Sequence, residues 1–131
     1  VVGPNFGCGS SREHAVWGLK QTGIRALIGS SFAGIFYDNC QRNGVLLITL
    51  DEAVLQTLGQ TVSQPEHAQI SVDLEQQEIR LADSQVIAFQ IDTLRKTALL
   101  LGLDAIGSTL QRSEQIKAFE RQHLANNPWL G

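Results

Sequence analysis

Apolar and polar positions change rhythm near Gly59. Before it, short solid apolar runs alternate with stretches of helical spacing; after it, apolar and polar residues alternate singly. The early runs at residues 24–29 and 45–49 read as buried strands, because a strand covered on both faces needs no polar side. The spacing predicts helices over residues 11–22, ended by Gly23, and over residues 32–42, capped by Ser30-Ser31 and closed by Asn43-Gly44. Asp51 is expected to cap a third helix through Leu58. Strand and helix alternating through short connections is the pattern of a parallel α/β layer.

Beyond Gly59, residues 70–74, 78–81 and 86–91 predict antiparallel strands joined by polar turns at Glu75-Gln76-Gln77 and Ala82-Asp83-Ser84. Asp92 opens a helix expected to run through Leu101 to Gly102, and a last helix is expected over residues 113–124. The 131 residues suffice for a single core, and no linker or repeat divides them. Val1-Val2-Gly3 reads as the stump of a strand, so upstream residues are expected, and an unpaired sheet edge there invites self-association.

Composition narrows the function classes. A net charge of −3 and the lack of a basic stripe argue against a nucleic-acid partner. No apolar stretch approaches the roughly 18 residues that suggest a membrane-spanning helix. Cys8 and Cys40 stand 32 positions apart without a paired-cysteine motif, so neither a disulfide framework nor a metal site is expected, and free thiols fit a cytoplasmic setting. His67 and His123 are expected to be solvated, Asp38 and Asn39 to cap the second helix rather than line the cleft, Trp17 to pack, and Trp129 to be loose or against a partner.

The run Gly3-Pro4-Asn5-Phe6-Gly7-Cys8-Gly9-Ser10-Ser11-Arg12-Glu13-His14-Ala15 carries the candidate chemistry. Glycines let the backbone approach a ligand closely, and a helix start presents unpaired N–H groups, which suits an anion. Ser10-x-x-Glu13 also satisfies a capping box, which needs only a stable helix start. Capping explains neither Gly7 and Gly9 nor a second serine followed by Arg12. A guanidinium where the helix dipole favours anions makes sense if both hold a carboxylate, which arginine grips at two points. His14 is expected to support the loop, and Ser11 to share the carboxylate or simply face solvent.

This motif resembles the Gly-Ser-Ser-Arg-Glu-His signature of the swivelling domain in the aconitase superfamily, most closely as it stands in bacterial isopropylmalate dehydratase small subunits. The resemblance continues through Ser31-Phe32-Ala33-Gly34-Ile35-Phe36-Tyr37-Asp38-Asn39-Cys40 with Asn43-Gly44, then Phe89-Gln90-Ile91-Asp92 and residues 102–110. Gly34 replaces a common acidic residue and Leu47 a usual proline, both outside the reactive motif. The resemblance implies a swivelling β/β/α fold: a mostly parallel central sheet, a small antiparallel sheet and surrounding helices. It also implies Ser10 as catalytic base and Ser11 with Arg12 as carboxylate ligands, in a dehydration–rehydration of a malate derivative within leucine biosynthesis. Relatives use a [4Fe–4S] cluster held by three cysteines; with two here, the cluster is expected on a large partner chain.

A serine base is demanding. Each unit of pKa depression takes about 1.4 kcal/mol. A helix start offers up to about 2 kcal/mol and a charge-assisted hydrogen bond about 1.5–3 kcal/mol. These leave a deficit that positive charge from Arg12, from elsewhere in the assembly or from a metal must fill. Two rival readings stand beside this one: a homoaconitase or citramalate-type hydro-lyase subunit, and a non-catalytic anion-binding or assembly module.

Overall fold

A computed structural model of the protein describes residues 1–130. Its first half is built on two parallel strands, β1 (Ala26–Gly29) and β2 (Leu46–Thr49), paired in register from Ala26 opposite Leu46 to Gly29 opposite Thr49. The chain ahead of them continues this layer: Val2 N–H donates to Ile28 O at 2.8 Å, and Phe6 bridges Phe32 in parallel. Gly29 permits that approach, since a Cβ there would lie 2.9 Å from Val2 Cγ2. Helices α1 (His14–Gln21) and α2 (Gly34–Arg42) cover one face of the pair, packed through Val16, Leu27, Phe36, Cys40, Val45 and Leu47.

The other face, with Ile28, Leu46 and Ile48, packs against α3 (Glu52–Val62) and an antiparallel sheet. That sheet has the order β3 (Ser71–Asp73), β4 (Glu78–Arg80), β5 (Val86–Ala88), and Ile79, Leu81 and Phe89 join the shared core. Alternate residues of β1 and β2 therefore feed two different cores, which is why both strands read as unbroken apolar runs. The three extended segments that follow α3 pair antiparallel, as the alternation beyond Gly59 predicts.

The later helices are α4 (Thr93–Leu101), α5 (Ala105–Leu110) and α6 (Ser113–Asn126). Asp92 caps α4 by accepting from Leu94 N–H and Arg95 N–H, and Gly102 ends it with φ of 63°, as its sequence indicates. Helix α5 has no counterpart in the pattern of the sequence; Asp104 caps it by accepting from Gly107 N–H at 2.6 Å. No helix among the described residues is long and apolar enough to cross a membrane.

Cys8 is exposed and Cys40 is buried inside the α1–α2 core. Burial pushes the Cys40 thiol up to about 11. At pH 8 a thiol reagent is expected to label Cys8 alone, read by peptide mass spectrometry; equal labelling of both would contradict this burial. The folded thiol keeps its proton to higher pH than the unfolded one. The stability it confers is therefore intact below about 9 and is lost as pH rises toward about 11.

Candidate functional site

The glycine-serine-arginine motif lies at the end of the parallel layer where β1 and the N-terminal stretch hand over to their helices, the edge on which α/β sheets commonly place ligands. Three anchors form its loop. Asn5 N–H donates to Ser31 Oγ at 2.7 Å, Phe6 N–H to Ser31 O at 3.2 Å, and Ala33 N–H to Phe6 O at 2.9 Å. Gly7 then turns with φ of 86°, over the Phe36 ring. A Cβ at Gly7 would sit 2.2 Å from Phe36 Cγ, so both backbone and packing demand glycine. Gly9 meets no atom within 4 Å of its would-be Cβ, so internal packing imposes no glycine there.

Ser10 N–H donates to Gly7 O at 3.2 Å, and Ser10 Oγ lies 3.3 Å from both the N and the O of Arg12. This is a local serine turn, not the expected capping box. Helix α1 begins only at His14, with Glu13 as its N-cap residue and no side-chain cap. Ser10, Ser11 and Arg12 thus precede the helix rather than occupy its first turn, because the Gly7 turn commits Ser10 to the loop. The dipole contribution fades within a turn, so the serine gains less from the helix than its spacing suggested. Among the described residues, the N–H groups of Gly9, Ser11 and Glu13 have no acceptor. Ser11 and Arg12 are exposed and Ser10 is half-buried, so this segment is open to solvent.

Glu13 is not a capping partner. Its Oε1 accepts from Asn43 Nδ2 at 2.6 Å. Ser31, expected to cap α2, instead holds the loop through Asn5, and α2 starts at Gly34 without a side-chain cap. Asp51 occupies the N-cap of α3, but its side chain makes no capping hydrogen bond. His14 is exposed, with its ring 4.6 Å from that of Trp17. Trp17 is itself 44% exposed, and its indole N–H donates to Asn43 Oδ1 at 3.1 Å, so it is less a packing residue than expected. His67 is half-buried rather than solvated, and its Nδ1 is shut away without a partner. His123 is exposed and stacks on Phe119, and Trp129 is 76% exposed.

Two hollows lie elsewhere. One, of about 350 Å³, is lined by Lys20, Arg42 and Arg95 beside the ends of α2 and α4. Cations suit the partial negative charge of helix C-termini, and Lys20 Nζ reaches Asn43 O at 2.6 Å. The other, of about 770 Å³, runs between the ends of β1 and β2 and the strand β5, past Ser30, Thr49 and Asp51.

Three family models match successive parts of the chain. They are the aconitase C-terminal domain over residues 1–53, LeuD_N over 56–93, and the C-terminal domain of the 3-isopropylmalate dehydratase small subunit over 106–131. The chain is 59% identical to 3-isopropylmalate dehydratase small subunit 1 of Mannheimia succiniciproducens, over 99% of this chain and 64% of that protein. Over nearly its whole length the chain is similar to 3-isopropylmalate dehydratase small subunits. The Rhodospirillum rubrum small subunit is 50% identical over 99% of this chain and 63% of its own length. A crystal structure of 3-isopropylmalate dehydratase from Methanocaldococcus jannaschii superposes with a TM-score of 0.62 and 29% identity, covering 90% of this chain and 65% of that one. The chain thus spans somewhat less than two thirds of the length of the small subunits it matches.

In that family setting the donor set can be tested against an iron–sulfur cluster. Such a cluster needs neighbouring, ionisable thiols. Cys8 stands exposed in the loop, Cys40 is buried with its thiol held neutral, and among the described residues no three His, Cys, Asp or Glu side chains gather. The described residues do not fit a cluster.

Proposed function

We propose that this chain is the base-and-carboxylate half of a 3-isopropylmalate dehydratase, interconverting 2-isopropylmalate and 3-isopropylmalate by loss and return of water in leucine biosynthesis. The observation that carries this reading is the solvent-accessible turn in which Ser10, tied by its N–H to Gly7 O, is followed by exposed Ser11 and Arg12. Ser10 Oγ takes the proton from the carbon beside a substrate carboxylate, while Ser11 Oγ and the Arg12 guanidinium hold that carboxylate. Gly7 and Gly9 shape the loop, and Glu13 and His14 support it. The hydroxide leaves the adjacent carbon, and its departure falls to the partner. The reverse addition, with proton and hydroxyl exchanged between the two carbons, completes the isomerisation.

The partner is a large subunit bearing the [4Fe–4S] cluster, over which this chain closes as a swivelling β/β/α domain in the cytoplasm. Family names support the pairing, since the relatives are called small subunits. Mixing the full-length protein with a cluster-bearing large subunit is expected to produce dehydratase activity absent from either alone. Activity on homocitrate or citramalate derivatives instead would keep the chemistry and change the substrate. No activity with any of these would leave an anion-binding module.

A further inference from the structure

We propose that Asn43, at the exit of α2, is a positioning residue that keeps the Glu13 carboxylate away from Arg12, leaving the guanidinium free for substrate. A helix exit needs only backbone bonds, and Asn43 N–H already supplies one to Asn39 O at 3.1 Å. Its side chain does more. Nδ2 donates to Glu13 Oε1 at 2.6 Å, 30 residues back, and to Asn39 O at 2.9 Å, while Oδ1 accepts from Trp17 Nε1 at 3.1 Å. Lys20 Nζ adds a bond to Asn43 O at 2.6 Å. Three residues on one side of α1's approach and body, Glu13, Trp17 and Lys20, therefore converge on one asparagine.

Glu13 follows Arg12 directly, and a carboxylate left without a partner can swing to a guanidinium within its reach and pair with it. No Arg12–Glu13 ion pair forms among the described residues; the Glu13 oxygen is taken by the neutral amide. An amide can hold a carboxylate without adding charge, which a lysine or arginine at this position cannot do. A released Glu13 is an internal competitor for the cation that the substrate carboxylate needs. The clamp thus acts on substrate affinity more than on turnover, and this rests on Arg12 being the carboxylate ligand proposed above.

The test uses Asn43→Asp, which puts two carboxylates face to face and frees Glu13, and the exchange variant Glu13→Gln with Asn43→Asp, in which glutamine donates to aspartate. In the complex with the large subunit, Asn43→Asp is expected to raise KM about tenfold or more, since one charge-assisted bond is worth at least that factor. Its kcat should fall far less, and the exchange variant should recover most of the KM. Ile79→Val, buried in the other core, lowers melting temperature without touching the loop and is expected to leave KM unchanged. An unchanged KM in Asn43→Asp overturns the proposal, and so does an exchange variant that recovers nothing. If wild-type complexes show no dehydratase activity, the functional reading fails by itself. The clamp is then judged by amide hydrogen exchange over residues 8–13, faster in Asn43→Asp and restored in the exchange variant; unaltered exchange overturns it.

Discussion

Ser10→Ala is expected to lower kcat of the assembled enzyme by about a thousandfold while KM changes little, within the range of a lost general base. The hydroxyl makes only 3.3 Å contacts to the Arg12 backbone, so removing it costs the loop little structure. Its loss therefore falls on the transition state. A serine used only to shape the turn gives the opposite signature: KM rises with the disturbed Arg12, kcat holds, and threonine restores both. Steady-state kinetics on isopropylmalate with Ser10→Ala and Ser10→Thr separate the two. Near-normal turnover in the alanine variant removes Ser10 from the chemistry.

Gly7→Ala is expected to have the largest effect on stability. A side chain at φ of 86° costs about 1–2 kcal/mol, and the clash with Phe36 adds about 1–3 kcal/mol of overpacking. For a domain of this size each kcal/mol moves the melting temperature by roughly 3–5 °C, so the midpoint should fall by roughly 6–25 °C. Gly9→Ala provides the contrast. With nothing within 4 Å of its Cβ, it should melt close to wild type, and any loss it shows belongs to ligand or partner approach. Calorimetry on both variants decides this; equal midpoints would mean that Phe36 does not form the floor of the loop.

Much of the fold was legible because its signals are local. The apolar runs around Leu27 and Leu47 mark strands buried on both faces, Asp92 and Gly102 bracket α4, and the alternation from Ile70 to Ile91 marks a meander. The failures share a cause. Ser10-x-x-Glu13, Ser30-Ser31 and Asp51 each have the composition of a helix cap, and composition leaves open which acceptor or donor the side chain finally meets. Ser31 meets Asn5 and Glu13 meets Asn43, partners 26 and 30 residues distant. Solvation failed likewise for His67, whose polar neighbours in sequence say nothing of the burial of its Nδ1.

The amino-acid order alone determined the candidate set proposed for the chemistry, Ser10, Ser11 and Arg12 after a glycine turn, together with the family resemblance and most of the strands and helices. These follow from residue chemistry and from periodicities set within a few positions. Folding in three dimensions decided the rest: that the motif precedes its helix, that Gly7 is required by Phe36 while Gly9 is free, and that residues flanking α2, Ser31 before it and Asn43 after it, hold the segment at Asn5 and Glu13. Those outcomes depend on contacts between segments far apart along the chain, whose energies no local pattern of residues encodes.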